Sequence, residues 1–422
     1  MIDYDTQPVT PQVKLYGSRS STDAYAIRDF LTRNRRLFDW FDVDGEAATD
    51  PALTVDTRLP LCVLPDRTRL EAATVERVAS GLGMIVPPKL AEYDVAIAGA
   101  GPAGLAAAVY AASEGLRTAV IESVAPGGQA GTTSMIENYL GFPGGISGSQ
   151  LASRATVQAE QFGAEILVAR PLADITTSAG LYLSRLSDGT VIPARAVVAA
   201  TGVQWRRLDV PGVERLLGAG VYYGAGPSEA RACEGAGVVI VGGGNSAGQA
   251  CLRFARYARQ VTLLVRGPAL GASMSQYLVD QVTAVENIEV RTSAEVAAVD
   301  GDARLRTLRV ALDGGDRVQT TAADALFICI GGMPCTGGMQ ELQLVRDRAG
   351  YLVTGTDLSP GGGVPDGWPL ARQPYPLETS LPGVFAAGDV RHGSMKRCAA
   401  ATGEGAMAVA LVHRYLAETG GE

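Results

Sequence analysis

This sequence has no Cys-x-x-Cys pair, no net basic charge and no long apolar run. Its six cysteines are scattered along 422 residues and none forms a Cys-x-x-Cys pair, so neither a disulfide framework nor a metal site is indicated. No run reaches the roughly 18 apolar residues that a membrane-spanning helix needs. The net charge of −8 argues against nucleic acid or an anionic membrane surface as a partner.

The N-terminus also lacks the features of an export signal. Its first ten residues, MIDYDTQPVT, are polar and acidic, with neither a basic start nor an apolar core. A cytoplasmic location is therefore expected. The remaining composition, 47% hydrophobic and 19% charged, is ordinary for a globular protein, and 422 residues suggest two to four domains.

A glycine-rich turn follows a strongly apolar strand near residue 100. The stretch Tyr93–Gly104 reads YDVAIAGAGPAG and contains the spacing G-x-G-x-x-G, typical of a dinucleotide-binding turn. A helix is predicted over 103–114 and a second strand over 116–122. Glu122 ends that strand about 20 residues on, where an acid binds a ribose hydroxyl. The residues predicted to hold this dinucleotide are Gly99, Gly101, Pro102, Ala103, Gly104 and Glu122.

A second turn of the same kind occurs over 238–248, in VVIVGGGNSAG. A helix is predicted over 246–257 and a strand over 260–265. Arg266 stands where an acid would end that strand. Because a carboxylate repels a ribose 2′-phosphate and a guanidinium binds it, NADPH is favoured over NADH. The residues predicted to hold it are Gly242, Gly244, Asn245, Ser246, Ala247 and Arg266.

Residues 12–84 predict a small separate unit of order β-α-β-β-α. Its segments VKLYGS, DWFDVDG and LPLCVLPD resemble the glutaredoxin and thioredoxin family. That family's Cys-x-x-Cys falls here on Ser21-Thr22-Asp23-Ala24, which excludes dithiol exchange at this place. The resemblance makes Pro60 the family's cis-proline. Two interpretations of this unit stay open: a docking or regulatory module, and a remnant kept for packing.

Beyond residue 92 the motifs resemble the thioredoxin reductase family. APGGQAGTTSMIENYLGFPGGISG, ATG and GVFAAGD begin at residues 125, 200 and 383, in the order of that family. The resemblance implies FAD and NADPH as cofactors, and a final helix over 399–416 whose N-terminus faces the flavin. The further positions that it implies for FAD are Gly128, Gln129, Asn138, Thr201, Gly202, Gly388, Asp389, Lys396, Arg397 and Cys398.

The redox motif of that family, Cys-Ala-Thr-Cys-Asp, is replaced in this chain. Gly224 and Pro227 stand in place of the thiols, and Ser228 in place of the acid. Because proline fixes φ and has no N–H, the loop is expected not to copy the start of a helix there. The residues that could line an acceptor site or move a proton beside it are Tyr222, Tyr223 and Glu229.

The predicted fold class is α/β, with two Rossmann-like three-layer ββα nucleotide-binding domains preceded by a small thioredoxin-like α/β domain. The predicted bounds are 1–88 for the degenerate thioredoxin-like domain, 92–212 and 336–422 for the two parts of the FAD domain, and 213–335 for the NAD(P)H domain.

The predicted function is an FAD-dependent oxidoreductase without a redox disulfide. Hydride would pass from NADPH to FAD, and electrons would then reach a small organic molecule, an electron carrier or O2. The expected assembly is a homodimer. Three alternatives stay open: a flavin oxidase or dehydrogenase acting on a metabolite with a vestigial nicotinamide site, a ferredoxin–NADP reductase, and a flavin-based redox sensor.

Overall fold

The chain divides into two compact units in a computed structural model. The structure describes residues 12–18, 21–44, 53–54, 56–133, 136, 138–223, 227–272 and 274–419. The described residues up to Val203 and those from Pro334 onward form the first unit, and Gln204–Met333 form the second. The second unit is thus inserted into the sequence of the first. It begins nine residues before the predicted start of the NAD(P)H domain, 213, and ends two residues before the predicted end, 335, and its assignment as that domain stays a prediction.

The N-terminal module, residues 12–88 of the first unit, is a four-stranded sheet with two helices. Its strand order is β2-β1-β3-β4, with β1 and β2 parallel and the other pairs antiparallel. The Leu59–Pro60 peptide bond is cis, as predicted. The short strand β4 was not predicted. In chain order the elements are β1 Val13–Gly17, α1 Thr22–Arg33, β2 Phe38–Asp42, β3 Leu61–Val63, β4 Arg69–Leu70 and α2 Val75–Gly81.

The apolar periodicity of this module accounts for its core. Ala24, Ile27, Phe30 and Leu31 repeat at helical spacing along α1 and are fully buried. The Ser21 hydroxyl caps α1 by accepting a hydrogen bond from Ala24 N at 3.2 Å.

The rest of the first unit is built on a seven-stranded sheet. Its order is β7-β6-β5-β10-β9-β8, and β21 pairs in parallel with the second half of β10. The strands β7, β6, β5 and β10 are parallel, whereas β10, β9 and β8 are antiparallel. The elements are β5 Tyr93–Ala98, α3 Pro102–Ser113, β6 Thr118–Ile121, α4 Gly148–Gln161, β7 Glu165–Leu167, β8 Leu172–Ser178, β9 Leu181–Leu186, β10 Val191–Ala199, β21 Val384–Ala386 and α9 Cys398–Thr419.

The second unit contains a five-stranded parallel sheet, ordered β12-β19-β13-β14-β15, and an antiparallel sheet β16-β17-β18. The strands β11 and β20, at which the chain enters and leaves the unit, pair with each other. The elements are β11 Val203–Trp205, α5 Val213–Leu216, β12 Val221–Tyr223, α6 Pro227–Ala232, β13 Gly237–Val241, α7 Asn245–Phe254, β14 Gln260–Leu264, α8 Gln276–Ala284, β15 Ile288–Arg291, β16 Ala294–Asp300, β17 Thr307–Leu312, β18 Arg317–Ala322, β19 Ala325–Ile328 and β20 Gly332–Pro334.

These elements confirm the predicted α/β class with parallel sheets of the Rossmann kind. One local expectation was wrong. Helix α6 begins at Pro227, which was expected to prevent a helix start. Proline suits the first position of a helix, because the N–H that it lacks has no partner within the helix there. Gly224, the other replaced thiol position, lies outside the described residues. Within those residues, no helix combines the length and apolarity needed to cross a bilayer.

The helices α3 and α9 approach each other closely through a glycine. A Cβ on Gly405 would lie 2.1 Å from the carbonyl oxygen of Ala103, so only glycine fits at that position of α9. Gly403, two residues earlier in the same helix, has no atom within 4 Å of where its Cβ would be.

We predict opposite effects of alanine at these two positions. Gly405→Ala should destabilise the protein by about 1–3 kcal/mol, because the helices must move apart. Gly403→Ala, the matched control, should stabilise it by about 0.5–1 kcal/mol, since alanine is the better helix former. Thermal unfolding of the two variants measures the difference. Equal Tm values would contradict the close approach of α3 and α9.

Candidate cofactor site

The first glycine-rich turn joins β5 to α3, and its glycines have separate roles. Gly99 has φ of +102°, and a Cβ on it would lie 2.5 Å from the Ala200 carbonyl oxygen. A Cβ on Gly104 would lie 1.8 Å from the Gly99 carbonyl oxygen. Packing inside the protein therefore requires both glycines. Pro102 and Ala103 begin α3 directly after the turn.

Gly101 is different, because nothing in the described part of the chain requires a glycine there. Its backbone is extended (φ −73°, ψ −174°), and a Cβ would have only the Gly128 Cα within reach, at 3.9 Å. It is also the N-cap of α3, with no side chain capping that helix. An open cradle at an uncapped helix N-terminus is what a pyrophosphate needs. These residues fit the phosphates of FAD.

Glu122 lies at the carboxyl end of β6, where the predicted ribose ligand should be. Its buried carboxylate accepts hydrogen bonds from Ala100 N at 2.8 Å and from Val124 N at 2.9 Å. It thereby ties the glycine-rich turn to the next loop. Oε1 also accepts from the Ser123 hydroxyl at 3.3 Å, so the lone pair that remains for a ligand hydroxyl is on Oε2.

A second loop, residues 124–129, forms the other wall of this cradle. Gly127 and Gly128 both have positive φ, at +110° and +54°, and Gly127 N donates to Ala100 O at 2.7 Å. A Cβ on Gly128 would lie 3.0 Å from the Gly101 Cα. Gln129 follows in this loop, and Asn138 is exposed further along the chain.

The end of β10 contributes Thr201 and Gly202 to the same edge of the sheet. The Thr201 hydroxyl donates to the Cys335 carbonyl oxygen at 2.6 Å, and Cys335 N donates to Gly202 O at 3.0 Å. Because the Thr201 hydroxyl is bonded to Cys335, a contact between Thr201 and a cofactor would be made by the Thr201 backbone.

Asp389 fits the predicted contact to a hydroxyl of the flavin side chain. It is partly buried, and burial raises the pKa of its carboxyl group above the usual range. No residue of the described ranges makes a hydrogen bond to this carboxylate. A carboxylate removed from water in this way favours a hydroxyl donor from a ligand.

The loop that carries Asp389 is held by a network that sequence reasoning missed. Glu404, on α9, accepts a hydrogen bond from Gly388 N at 2.7 Å and forms an ion pair with Arg391 at 2.5 Å. Gly388 has φ of +76°, and a Cβ on it would lie 2.9 Å from that of Ala103. This network fixes the Asp389 loop against α3 and α9. No motif in the sequence indicates it.

The three residues at the start of α9 differ in exposure. Lys396 is exposed, and its Nζ donates to the Tyr351 hydroxyl at 3.1 Å and lies 4.3 Å from that ring centroid. Arg397 is also exposed, while Cys398 is partly buried and begins the helix. Burial raises the pKa of the Cys398 thiol.

The second glycine-rich turn joins β13 to α7 in the second unit. Gly242 has φ of +149°, and a Cβ on it would lie 2.4 Å from Cys329 O. Gly244 caps α7 without a side-chain hydrogen bond. Asn245 bonds Ser275 through both ends of its amide, at 2.9 and 2.7 Å. Ser246 is exposed at this helix end and Ala247 is buried.

Arg266 lies just beyond β14, on the edge at which a nucleotide ribose would bind. It is exposed, and no other described residue forms an ion pair or hydrogen bond with its guanidinium. Arg291, which ends the adjacent strand, is instead engaged by Glu289 at 2.7 Å and by Thr321 at 3.1 Å.

The three candidate residues near the replaced dithiol have packing partners within the second unit. Tyr222 stacks on Phe327, with ring centroids 5.2 Å apart, and the Tyr223 hydroxyl accepts from Leu208 N at 2.8 Å. Glu229 is partly buried in α6, and its charge adds to the burial that raises the pKa of Cys233. A role for any of the three at an acceptor stays a prediction.

None of the six cysteines has the environment of a reactive thiol. All six are free, and burial raises the pKa of each. The pKa of Cys62 is raised to about 12, and those of Cys233 and Cys329 to about 11. Since the thiolate is the attacking species in disulfide exchange, a raised pKa disfavours each of these thiols in that reaction.

Each of the two units contains one glycine-rich strand-to-helix turn, and one unit is inserted into the other. This arrangement defines a flavoprotein with two dinucleotide sites. The family model described as pyridine nucleotide-disulphide oxidoreductase matches residues 93–405. The chain belongs to this family. FAD and NADPH are the cofactors that the family uses, which confirms the prediction.

Curated relatives and solved structures give the same result. The chain is 33% identical over 342 residues to a thioredoxin reductase of Listeria monocytogenes, covering 77% of this chain and 94% of that protein. It is 32% identical to a thioredoxin reductase of Treponema pallidum, covering 77% of this chain and 97% of the relative. The crystal structure of thioredoxin reductase from Streptococcus pyogenes matches with a TM-score of 0.64 and 30% identity, covering 78% of this chain and 99% of that one.

We predict that Gly101→Val abolishes FAD binding and leaves the fold intact. Valine adopts the extended backbone of this residue, but its side chain would occupy the cradle between Gly101 and Gly128. The measurement is the flavin content after purification with added FAD, together with the Tm of the FAD-free proteins. A yellow variant with full flavin content would contradict the assignment of this cradle.

Proposed function

We propose that this chain is an FAD-dependent NADPH oxidoreductase that passes electrons to an acceptor other than a disulfide. When bound, FAD supplies a group that accepts hydride from NADPH and returns electrons to a second acceptor. Gly101, Gly128 and Asp389 would hold the FAD, and the α7 N-terminus with Arg266 would hold the NADPH. The acceptor would be a small organic molecule, an electron-carrier protein or O2.

The main support for this proposal is that the family's thiol positions hold other residues and that the six cysteines elsewhere are free. Disulfide reduction of the family type needs two thiols and an acid in one loop, and this chain has Gly224, Pro227 and Ser228 there. The six cysteines elsewhere are free, with pKa values raised by burial. The N-terminal module supplies no relay, because Ser21 and Ala24 occupy its expected dithiol positions.

The strand order and cis-proline of the N-terminal module support its interpretation as a degenerate thioredoxin-like domain. Its parallel pair β1–β2 and antiparallel β3 and β4 accompany a cis bond before Pro60. A homodimer is proposed from the resemblance to the thioredoxin reductase family alone, and sedimentation would test it.

Turnover should not depend on cysteine chemistry. We predict no NADPH-coupled reduction of thioredoxin or small disulfides by the native chain, and unchanged oxidation of NADPH by O2 or a quinone when all six cysteines are replaced with Ala or Ser. If the sixfold variant does not fold, Cys233→Ser and Cys398→Ser are tested singly. Robust disulfide reduction that is lost in a cysteine variant would refute the proposal.

Arg266 should set the choice between NADPH and NADH. Because a lost charge-assisted hydrogen bond costs about 1.5–3 kcal/mol, Arg266→Ala should raise KM for NADPH roughly 10- to 100-fold and leave KM for NADH nearly unchanged. The matched control is Arg309→Ala, an exposed arginine on β17. Equal use of NADPH and NADH by the native chain would contradict the assignment.

A further inference from the structure

The N-terminal module lies on the cofactor edge of the first unit and outside the family match, which begins at residue 93. Val124 and Ala169 follow the carboxyl ends of β6 and β7, and both pack into the apolar core of the module, beside residues such as Phe30 and Val78. Ligands of parallel α/β sheets bind outside the carboxyl ends of the strands. The module therefore covers the edge at which the FAD phosphates and adenosine would bind.

Polar contacts from the end of α1 hold the loop 124–129. The Arg33 guanidinium donates through Nη2 to the carbonyl oxygens of Ala125, at 3.2 Å, and Gly128, at 3.3 Å. Asn34 Nδ2 donates to Val124 O at 3.2 Å. The Arg33 side chain is largely buried, and its Nε has no hydrogen-bond partner among the described residues.

These contacts fix the orientation of peptide groups that border the cradle. The carbonyl of Gly128 points toward Arg33, and in a trans peptide the N–H of the following residue points the opposite way. That N–H belongs to Gln129. Gly128 itself lies against Gly101, the open glycine of the cradle. Arg33 is therefore placed to set the geometry of the cradle wall without contacting the cofactor.

The linker after the module is also fixed. Glu165, a buried residue of β7, accepts from Lys89 N at 3.1 Å and from the Tyr93 hydroxyl at 2.5 Å. The buried Arg170 donates to the Val86 carbonyl oxygen and pairs with Asp188 at 3.4 Å. The module is thus attached to the FAD half of the first unit at the end of α1 and at the linker that follows α2.

We propose that the N-terminal module acts as a cap that retains FAD, and that Arg33 is the positioning residue through which it does so. Arg33 holds the loop 124–129 in the shape that binds the pyrophosphate. Without that hold, FAD dissociates faster. This role uses no thiol chemistry and rests on FAD binding alone, not on the nature of the electron acceptor.

The test is FAD and ADP binding to the FAD-free, full-length chain. Arg33→Ala should raise Kd for both ligands about tenfold or more, since hydrogen bonds from a charged donor to two carbonyls are lost. ADP should lose the same factor as FAD, because it contains only the adenosine and pyrophosphate. Arg33→Lys, which keeps a charged donor, should recover most of the affinity. Kd is followed by protein fluorescence, and the dissociation rate by release of FAD.

The matched control is Arg36→Ala, which removes an exposed charge three residues further on and should leave both Kd values within twofold of native. The Tm of each FAD-free protein separates a loss of affinity from a loss of folding. If Arg33→Ala does not fold, Arg33→Gln replaces it and should still weaken FAD at least threefold. The proposal is overturned if the variant that folds binds FAD and ADP like the native chain, or if Arg36→Ala weakens them equally.

Discussion

The close approach of backbone segments around Gly99 and Ala103 is the constraint on which the first unit depends. Four contacts there leave no room for a further Cβ: the Ala200 carbonyl against Gly99, Gly104 against Gly99, Gly388 against Ala103 and Gly405 against Ala103. Each contact brings one part of the cofactor site to the same place. The end of β10, the Asp389 loop and helix α9 thus surround the N-terminus of α3. A single larger residue at this point would separate them.

Much of the cofactor site could be predicted because it depends on short-range sequence patterns. A strand, a glycine-rich turn and a helix follow each other within about twenty residues. The turns Gly99 to Gly104 and Gly242 to Gly244 can therefore be located from the sequence alone. The bounds of α3 and α7 differ from the predicted ones, 103–114 and 246–257, by one to three residues.

The parts that could not be predicted are long-range contacts between polar groups. The Glu404–Arg391 pair fixes Gly388, and Arg33 bonds carbonyls more than 90 positions away. Arginine and glutamate on a helix most often face solvent, so their types carry no signal of these partners. The helix start at Pro227 differs from the expectation for another reason: at the first helical position the missing N–H has no partner to lose, and the fixed φ of proline suits a helix.

The structure separates cofactor handling from thiol chemistry. The glycine turns, Asp389 and the uncapped helix N-termini depend on backbone geometry and on one carboxylate, and none of them needs a sulfur atom. Three of the six thiols, Cys62, Cys233 and Cys251, are buried in the apolar cores as small hydrophobic groups, and the other three are partly buried. Under the proposed function, Gly224 and Pro227 in place of the family's thiols would change the electron acceptor and leave both glycine-rich turns in place.

The most direct test of the proposed function is an anaerobic reductive titration of the native chain with its FAD bound. The account predicts that the flavin absorbance is fully bleached after uptake of about two electrons per FAD, and that no new thiol is then detected, since no disulfide is present to take up a further pair. Uptake of about four electrons per FAD, with two thiols appearing in the reduced protein, would show a redox-active disulfide and contradict it.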